Sequence, residues 1–390
     1  VFSSRLPPSL AANAISRAVD AARARGPLLD LTESNPTIVG LDYPRDTILS
    51  ALADARALTY EPTPRGLALA RAAIADYYAR RHAVAVDPER LTLTASTSEA
   101  YAWMFKLLCD PGDDVLVPRP SYPLFDMLAG LESVRPVAYA LHYHHGWFLD
   151  VAEVERALTP RTRAILVVNP NNPAGWFLKR EEYARLDALA AARGLALVSD
   201  EVFADYAFAP DATRVTTLAG DGAALAFSLS GLSKLVGLPQ LKLGWIHVSG
   251  PPALRVAANE RLEHIADTYL SVAAPVQHAA PRLLPLIDDL GRQILNRVVD
   301  NRQALAQGLV RSAAQLLEGE GGWSAIVRLP ATRSDEEWVL ALLERGVLVH
   351  PGFFFDLLGT PPVAIVASLL IAPAVIAEAL PVIRAVVDGG

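Results

Sequence analysis

From residue 90 onward the apolar positions fall into short continuous runs, not the alternation of a half-exposed sheet. Seven runs read as strands: 91–94, 114–118, 134–140, 164–168, 196–199, 225–229 and 244–248. Helical periodicity separates several of them, at 98–108, 126–130 and 180–193. Strands buried on both faces, with helices between, predict a mostly parallel sheet covered on two sides. Before it come an amphipathic helix at 9–25, a short apolar run from 28, a helix at 47–57, a loop at 60–66 and a helix at 67–81. After it a long helical stretch runs from 253 to about 317. Strands at 324–329, 347–350 and 363–370 then alternate with helices at 335–345 and from Pro373 to 387.

This pattern predicts an α/β fold. A large domain spans 46–270. A smaller α+β domain combines residues 1–45 with the linking helix and C-terminal part, 271–390. The segment 361–377 is apolar enough to suggest a membrane span. Ser368 and its prolines argue instead for a buried strand followed by a helix.

Composition narrows the function. At 390 residues the chain is long enough for large cores without disulfide staples, and its single cysteine, Cys109, excludes a multi-thiolate metal site. A net charge of −7 argues against nucleic-acid binding through bulk charge. The start shows no secretory pattern, so a cytoplasmic protein is expected. Only four of the 35 basic residues are lysines, namely Lys106, Lys179, Lys234 and Lys242, so lysine-dependent chemistry has few candidates.

In open α/β sheets, ligands bind outside the carboxyl ends of the strands. Five predicted strand ends carry polar chemistry. Ser96, Thr97 and Ser98 open a helix, where free N–H groups and hydroxyls suit a phosphate. An ordinary N-cap is the plainer reading. Tyr122 sits in a proline-locked loop and offers an aromatic face, unless it is a buried turn residue. Asn169, Asn171 and Asn172, with Pro170, Pro173 and Gly175, form a dense turn. Asp200 ends an apolar strand, where a buried carboxylate needs a partner such as an arginine. Lys234 lies in a Ser/Gly loop with Ser230 and Ser233. There it is either a solvated lysine or, if desolvated, a Schiff-base former. Together these five ends make a site for pyridoxal 5′-phosphate.

On these motifs, their order and their gaps, the chain resembles the fold-type I, class I/II aminotransferases, the aspartate aminotransferase superfamily. The similarity runs from Tyr60 to the last helix. It implies a large domain with a seven-stranded sheet, a small domain from both chain ends, and a homodimer with shared active sites. It implies that Lys234 forms the Schiff base and shuttles a proton, and that Asp200 pairs with the pyridine nitrogen. Tyr122 would stack on the ring and Asn172 would bond the ring hydroxyl oxygen. Ser96, Thr97 and Ser98, with Ser230 or Ser233, would cradle the phosphate. Tyr60 would reach the neighbouring subunit's phosphate. Asn35, in a segment resembling one that closes over substrate, and Phe353, in a Pro-Gly-x-x-Phe segment, would line the substrate pocket with Asn172, unless the phenylalanine packs into the core instead.

The sequence departs from the family pattern in three places. Lys242 stands where a phosphate-binding arginine is usual. Phe203 stands where a tyrosine often donates to the ring hydroxyl oxygen. The C-terminal strand, 364–370, has no carboxylate-clamping arginine, and none occurs between Arg345 and Arg384. Another arginine or a nest of backbone N–H groups would have to replace it, unless the substrate presents no carboxylate.

The expected activity is a transaminase acting on a small amino donor and an oxo acceptor by a ping-pong mechanism. The alternative is a lyase, decarboxylase or cyclase using the same cofactor. A nicotinamide enzyme is disfavoured because no Gly-x-Gly-x-x-Gly follows the first strand of the sheet. A catalytically dead interaction protein is disfavoured by the joint presence of Lys234, Asp200 and Asn172. No metal is expected. His142, His144 and His145 cluster before Trp147, but no carboxylate or thiolate accompanies them in sequence.

Overall fold

In the computed structural model, residues 2–7, 11, 13–357 and 362–389 are described. In chain order the strands are β1 (Leu29–Asp30), β2 (Leu91–Thr94), β3 (Asp114–Arg119), β4 (Arg135–Tyr143), β5 (Trp147–Leu149), β6 (Thr162–Val168) and β7 (Ala196–Asp200). They continue as β8 (Leu225–Gly231), β9 (Gly244–Ser249), β10 (Gln315–Leu316), β11 (Ser324–Arg328), β12 (Val347–Leu348), β13 (His350–Pro351) and β14 (Ala364–Ser368).

The main sheet has the order β2-β9-β8-β7-β6-β3-β4-β5. The five strands from β8 to β4 pair in parallel; β9 is antiparallel to both of its neighbours, and β5 is antiparallel to β4. The seven expected strands are all present. The eighth is the three-residue β5, which folds back on the end of β4 through a turn closed by His144 N–H on Gly146 O at 2.9 Å.

Alternate residues of the central strands feed two separate cores. Ile165 and Val167 of β6 pack on one side with Leu186 and Ala190 of the Arg180–Arg193 helix. Ala164, Leu166 and Val168 pack on the other with Ala100, Met104 and Phe105 of the Thr97–Leu108 helix. This two-sided burial explains why the strands read as unbroken apolar runs.

The smaller unit is α+β. Strands β10, β11, β14 and β13 form an antiparallel sheet, while β1 pairs in parallel with β12. The first helix spans Ala14–Arg23; Ser9, Leu10 and Ala12 of its expected range lie outside the described residues, as does Pro361.

Three expectations need correction. The helix expected at 47–57 ends at Leu52, because Asp54 accepts the Arg56 N–H at 2.9 Å and starts a separate 3-10 turn. The long helical stretch from 253 breaks into Pro252–Tyr269, Ala274–Leu283, a 3-10 turn at Leu284–Asp288, and Leu290–Gly308. Leu270 turns left-handed at φ 45°, and prolines open the next two pieces. The run 347–350 divides into β12 and β13, which pair with different strands. No helix among the described residues is long and apolar enough to cross a membrane.

Candidate active site

Asp200 ends β7 and is 9% exposed. No arginine bridges it among the described residues. Its Oδ2 accepts the Tyr101 hydroxyl at 3.0 Å and its Oδ1 accepts the Val202 N–H at 3.2 Å. Burial pushes its pKa up to about 6, against the lowering effect of those two donors and of Lys234. An anion so placed lacks a close cation.

Lys234 lies on a one-turn helix, Leu232–Leu235, that follows β8, not in an open loop. Gly231 permits this junction: a Cβ there would come within 2.8 Å of Leu243 O and 2.9 Å of Gly244 Cα. The lysine backbone is pinned by the Tyr206 hydroxyl, which donates to Lys234 O at 2.7 Å and to Leu235 O at 3.0 Å. The ammonium nitrogen sits 5.1 Å from the Trp323 ring centroid. Burial lowers the lysine pKa, with Asp200 pulling the other way. The lysine is partly buried, and its amine faces an aromatic ring instead of open solvent.

Trp323 precedes β11 and is gripped edge-on by Phe203 and Tyr206, each with ring centroids 5.3 Å away. Its carbonyl accepts the Leu369 N–H at 2.7 Å, which ties it to the residues after β14. Phe203, which stands where the family often has a tyrosine, is therefore part of an apolar wall.

The asparagine turn divides its work. Asn169 gives Nδ2 to Val215 O at 2.7 Å and takes the Leu178 N–H at 3.0 Å. Asn171 does the same with Pro120 O and the Ala174 N–H, at 3.0 and 3.1 Å. Both are consumed in shaping the turn. Asn172 accepts the Ser324 hydroxyl on Oδ1 at 2.9 Å, which leaves its amide N–H groups as donors.

At the end of β2, Ser96 acts as an ordinary N-cap, accepting the Glu99 N–H at 3.2 Å. The Glu99 carboxylate turns back to take the Ala95 N–H and the Ser271 hydroxyl, both at 2.7 Å. Thr97 and Ser98 occupy the first turn. Ser230, on β8, is buried and its hydroxyl has no partner; Ser233 is half-buried beside Lys234. Lys242 is exposed at φ 53°. Tyr122 is 48% exposed, with its ring 6.4 Å from Phe355.

Three expected residues are seen with other partners or open to solvent. Tyr60 is 80% exposed and lines a cleft of about 340 Å³ with Trp103, Ser271 and Gln277. Asn35 spends its Oδ1 on Thr37, accepting the backbone N–H at 3.0 Å and the hydroxyl at 2.7 Å. Its segment nevertheless reaches the site's flank: Tyr43 donates to Gly237 O at 2.6 Å, and a Cβ on Gly237 would meet Pro36 at 3.3 Å. Phe353 is 42% exposed and gives its N–H to Asp335 at 2.9 Å.

The histidine cluster does meet a carboxylate. Glu153 lies 2.8 Å from His142 Nε2, while His144 and His145 contact each other edge-on. No group of three or more metal-ligating side chains is assembled among the described residues.

Tyr101, Tyr206, Trp323 and Ser324 contact the candidate residues and carry no role in the sequence reading. Tyr101 carried a signal, as a polar-tipped aromatic on the buried face of the helix after Ser96. Trp323 and Ser324 carried none, because they arrive from the smaller sheet.

Residues 27–367 match the family described as aminotransferase class I and II. The glutamate-pyruvate aminotransferase AlaA of Escherichia coli (strain K12) is 30% identical over 254 residues, which is 65% of this chain and 62% of AlaA. An alanine aminotransferase of Mycobacterium tuberculosis (strain CDC 1551 / Oshkosh) is 30% identical over 254 residues, 65% of this chain and 59% of its own. The chain thus spans about six-tenths of the length of these curated relatives. Among solved structures, an alanine aminotransferase from Pyrococcus furiosus superposes with a TM-score of 0.87 at 23% identity, covering 100% of both chains. An aminotransferase from Escherichia coli gives 0.85 at 26% identity, covering 100% of this chain and 98% of its own.

Proposed function

The chain belongs to the class I and II aminotransferase family, and from that premise we propose that it is a pyridoxal-phosphate-dependent transaminase. In this reading it moves an amino group from a small amino donor to an oxo acceptor by a ping-pong mechanism. The observation that carries the reading is a buried carboxylate, Asp200, at the end of β7 beside a partly buried lysine, Lys234, in the turn after the adjacent β8.

The residues present fit the cofactor. Asp200 is an anion short of a cation, as a partner for a protonated ring nitrogen should be. The buried Ser230 hydroxyl lacks a hydrogen-bond partner. When bound, pyridoxal phosphate supplies an electron sink conjugated to the amino carbon.

The chain's own residues would then divide the remaining work. Tyr101 and the Val202 N–H hold the Asp200 carboxylate in one orientation. Burial raises the fraction of Lys234 that is uncharged near neutrality, so its amine can accept a proton and return it. Tyr206 fixes the lysine backbone, and Trp323 closes the apolar side of its nitrogen. Asn172, oriented by Ser324, would donate to the ring oxygen, and Tyr122 would offer its ring face. Thr97 and Ser98, with Ser96, Ser230, Ser233 and Lys242, would serve the phosphate. Tyr60, exposed in its own chain, would act across a homodimer. Residues 46–270 would form the cofactor domain, with 1–45 and 271–390 in the smaller one, in a cytoplasmic enzyme.

The test is the absorbance of the purified protein with pyridoxal phosphate, compared with Lys234→Ala. A cofactor band that depends on Lys234, is lost on adding an amino donor and returns with an oxo acid is expected. A protein that takes up no cofactor would sink the reading.

A further inference from the structure

Trp323 and Ser324 reach the site on a short strap, residues 317–323, which joins β10 to β11 and holds glycines at 319, 321 and 322. So much glycine makes the strap costly to order. Its backbone is laid against the asparagine turn and the segment 206–208. Glu320 N–H donates to Gly175 O at 2.9 Å, Phe208 N–H to Glu320 O at 2.8 Å and Gly322 N–H to Tyr206 O at 3.0 Å. The approach is so close that a Cβ on Gly321 would lie 2.5 Å from Tyr206 O. The strap ends with the Trp323 ring centroid 5.1 Å from the Lys234 nitrogen and the Ser324 hydroxyl on Asn172 at 2.9 Å.

One side chain of the strap enters a prepared pair of cations. Glu320 Oε2 accepts from Lys179 Nζ and from Arg214 Nε, the latter at 2.6 Å. Arg214 is also fixed independently of the strap. Its Nη1 donates to Ala209 O at 2.6 Å, and its guanidinium carbon lies 4.9 Å from the Phe177 ring centroid. Asp211 stands behind both cations, 3.5 Å from Arg214 and 3.6 Å from Lys179, so that two carboxylates balance two cations. The Arg214 side chain is 9% exposed and that of Glu320 24%, so salt and water screen the pair weakly. Glu318, on the same strap, pairs with Arg302 at 2.7 Å, but its side chain is 67% exposed, where an ion pair contributes little.

Resting on the cofactor reading above, we propose that Glu320 is a positioning residue. Paired with Lys179 and Arg214, it latches the strap so that Trp323 covers the Lys234 amine and Ser324 orients Asn172. Its influence on the site runs through the strap. Glutamine in its place would keep the size of the side chain but leave the two cations with one carboxylate between them, and the strap would lose its charged anchor.

The test reads the lysine itself, in cofactor-free protein. Acylation by acetic anhydride is followed by peptide mass spectrometry across neutral to alkaline pH. The chain has only four lysines, so each is resolved, and exposed Lys242 reports the reagent's reactivity. In Glu320→Gln the Lys234 rate, relative to Lys242, should rise about tenfold, the weight of a hydrogen bond to a charged group. Glu318→Gln removes the same charge from the same strap and should leave the rate unchanged. General destabilisation would raise Lys106 in parallel, whereas a latch would not. Pyridoxal phosphate affinity, read from the Lys234-dependent absorbance, should weaken about tenfold in Glu320→Gln alone. Should that variant fail to fold, Lys179→Met removes the latch from its other side, with the same expectations. An unchanged Lys234 rate, an equal effect of Glu318→Gln or a parallel rise at Lys106 overturns the proposal. So does faster labelling with unchanged cofactor affinity, which leaves the cofactor reading intact. A wild-type protein that forms no Lys234-dependent absorbance brings down the cofactor reading, and this role with it.

Discussion

Replacing Asp200 by asparagine should make the cofactor-free protein more stable at alkaline pH while removing the anion at the site. The carboxyl titrates at about 6 in the folded chain against 3.8 as a model group. Its folded pKa is raised, so the folded chain binds this proton more tightly than the unfolded chain does. Stability from this group is therefore complete at low pH and is lost as pH rises from about 4 to about 6. The loss amounts to about 3 kcal/mol at pH 8 and about 1.5 kcal/mol at pH 5.

Asparagine removes that loss but has one oxygen where Asp200 uses two, for Tyr101 and for Val202. One hydrogen bond is forfeited, at about 1 kcal/mol. The net gain for Asp200→Asn should be about 2 kcal/mol at pH 8 and about 0.5 kcal/mol at pH 5. Glu201, pushed up to about 7 by burial, titrates in both proteins and cancels in the difference. Urea unfolding of the two cofactor-free proteins at both pH values measures it. A variant less stable at pH 8, or a gain that does not change between pH 5 and pH 8, would refute the reasoning. Saturating pyridoxal phosphate should reverse the order, because only aspartate offers the ligand a charge to pair with.

Two further substitutions probe the frame and the phosphate side. Gly175→Ala places a Cβ 2.7 Å from Gly321 O at φ 69°, so it should cost about 3 kcal/mol in urea unfolding and displace the segment leading to Trp323. A loss below about 1 kcal/mol would mean that the turn yields. Lys242→Arg supplies a planar fork in place of a point charge and should tighten pyridoxal phosphate binding about tenfold by equilibrium dialysis. Equal affinities would show that residue 242 does not touch the phosphate.

The parts of the site that were legible in the sequence are those fixed by local rules. An apolar run that ends in an aspartate puts that carboxylate at the mouth of a parallel sheet, so Asp200 could be placed from its own segment. Lys234 could be placed in the same way, because few lysines compete with it and its segment links two strands. The secondary structure around it differs: the local pattern of serines and glycines predicts a loop, whereas packing by Leu232 and Leu235 stabilises a helical turn.

What tertiary structure alone decided is which side chains meet. Tyr101 and Asp200 are 99 positions apart, and Ser324 and Asn172 are 152 apart. No periodicity within either segment encodes those contacts. They exist because β7 and the Thr97–Leu108 helix share one core, and because β11 and β14 bring the smaller sheet against the asparagine turn. The missing arginine could be read from residues 364–370 by inspection. That Arg119 is held by Asp126 and Asp356, and that Asp335 takes the Phe353 and Ala364 N–H groups, could be known only once those groups were seen bonded to their partners.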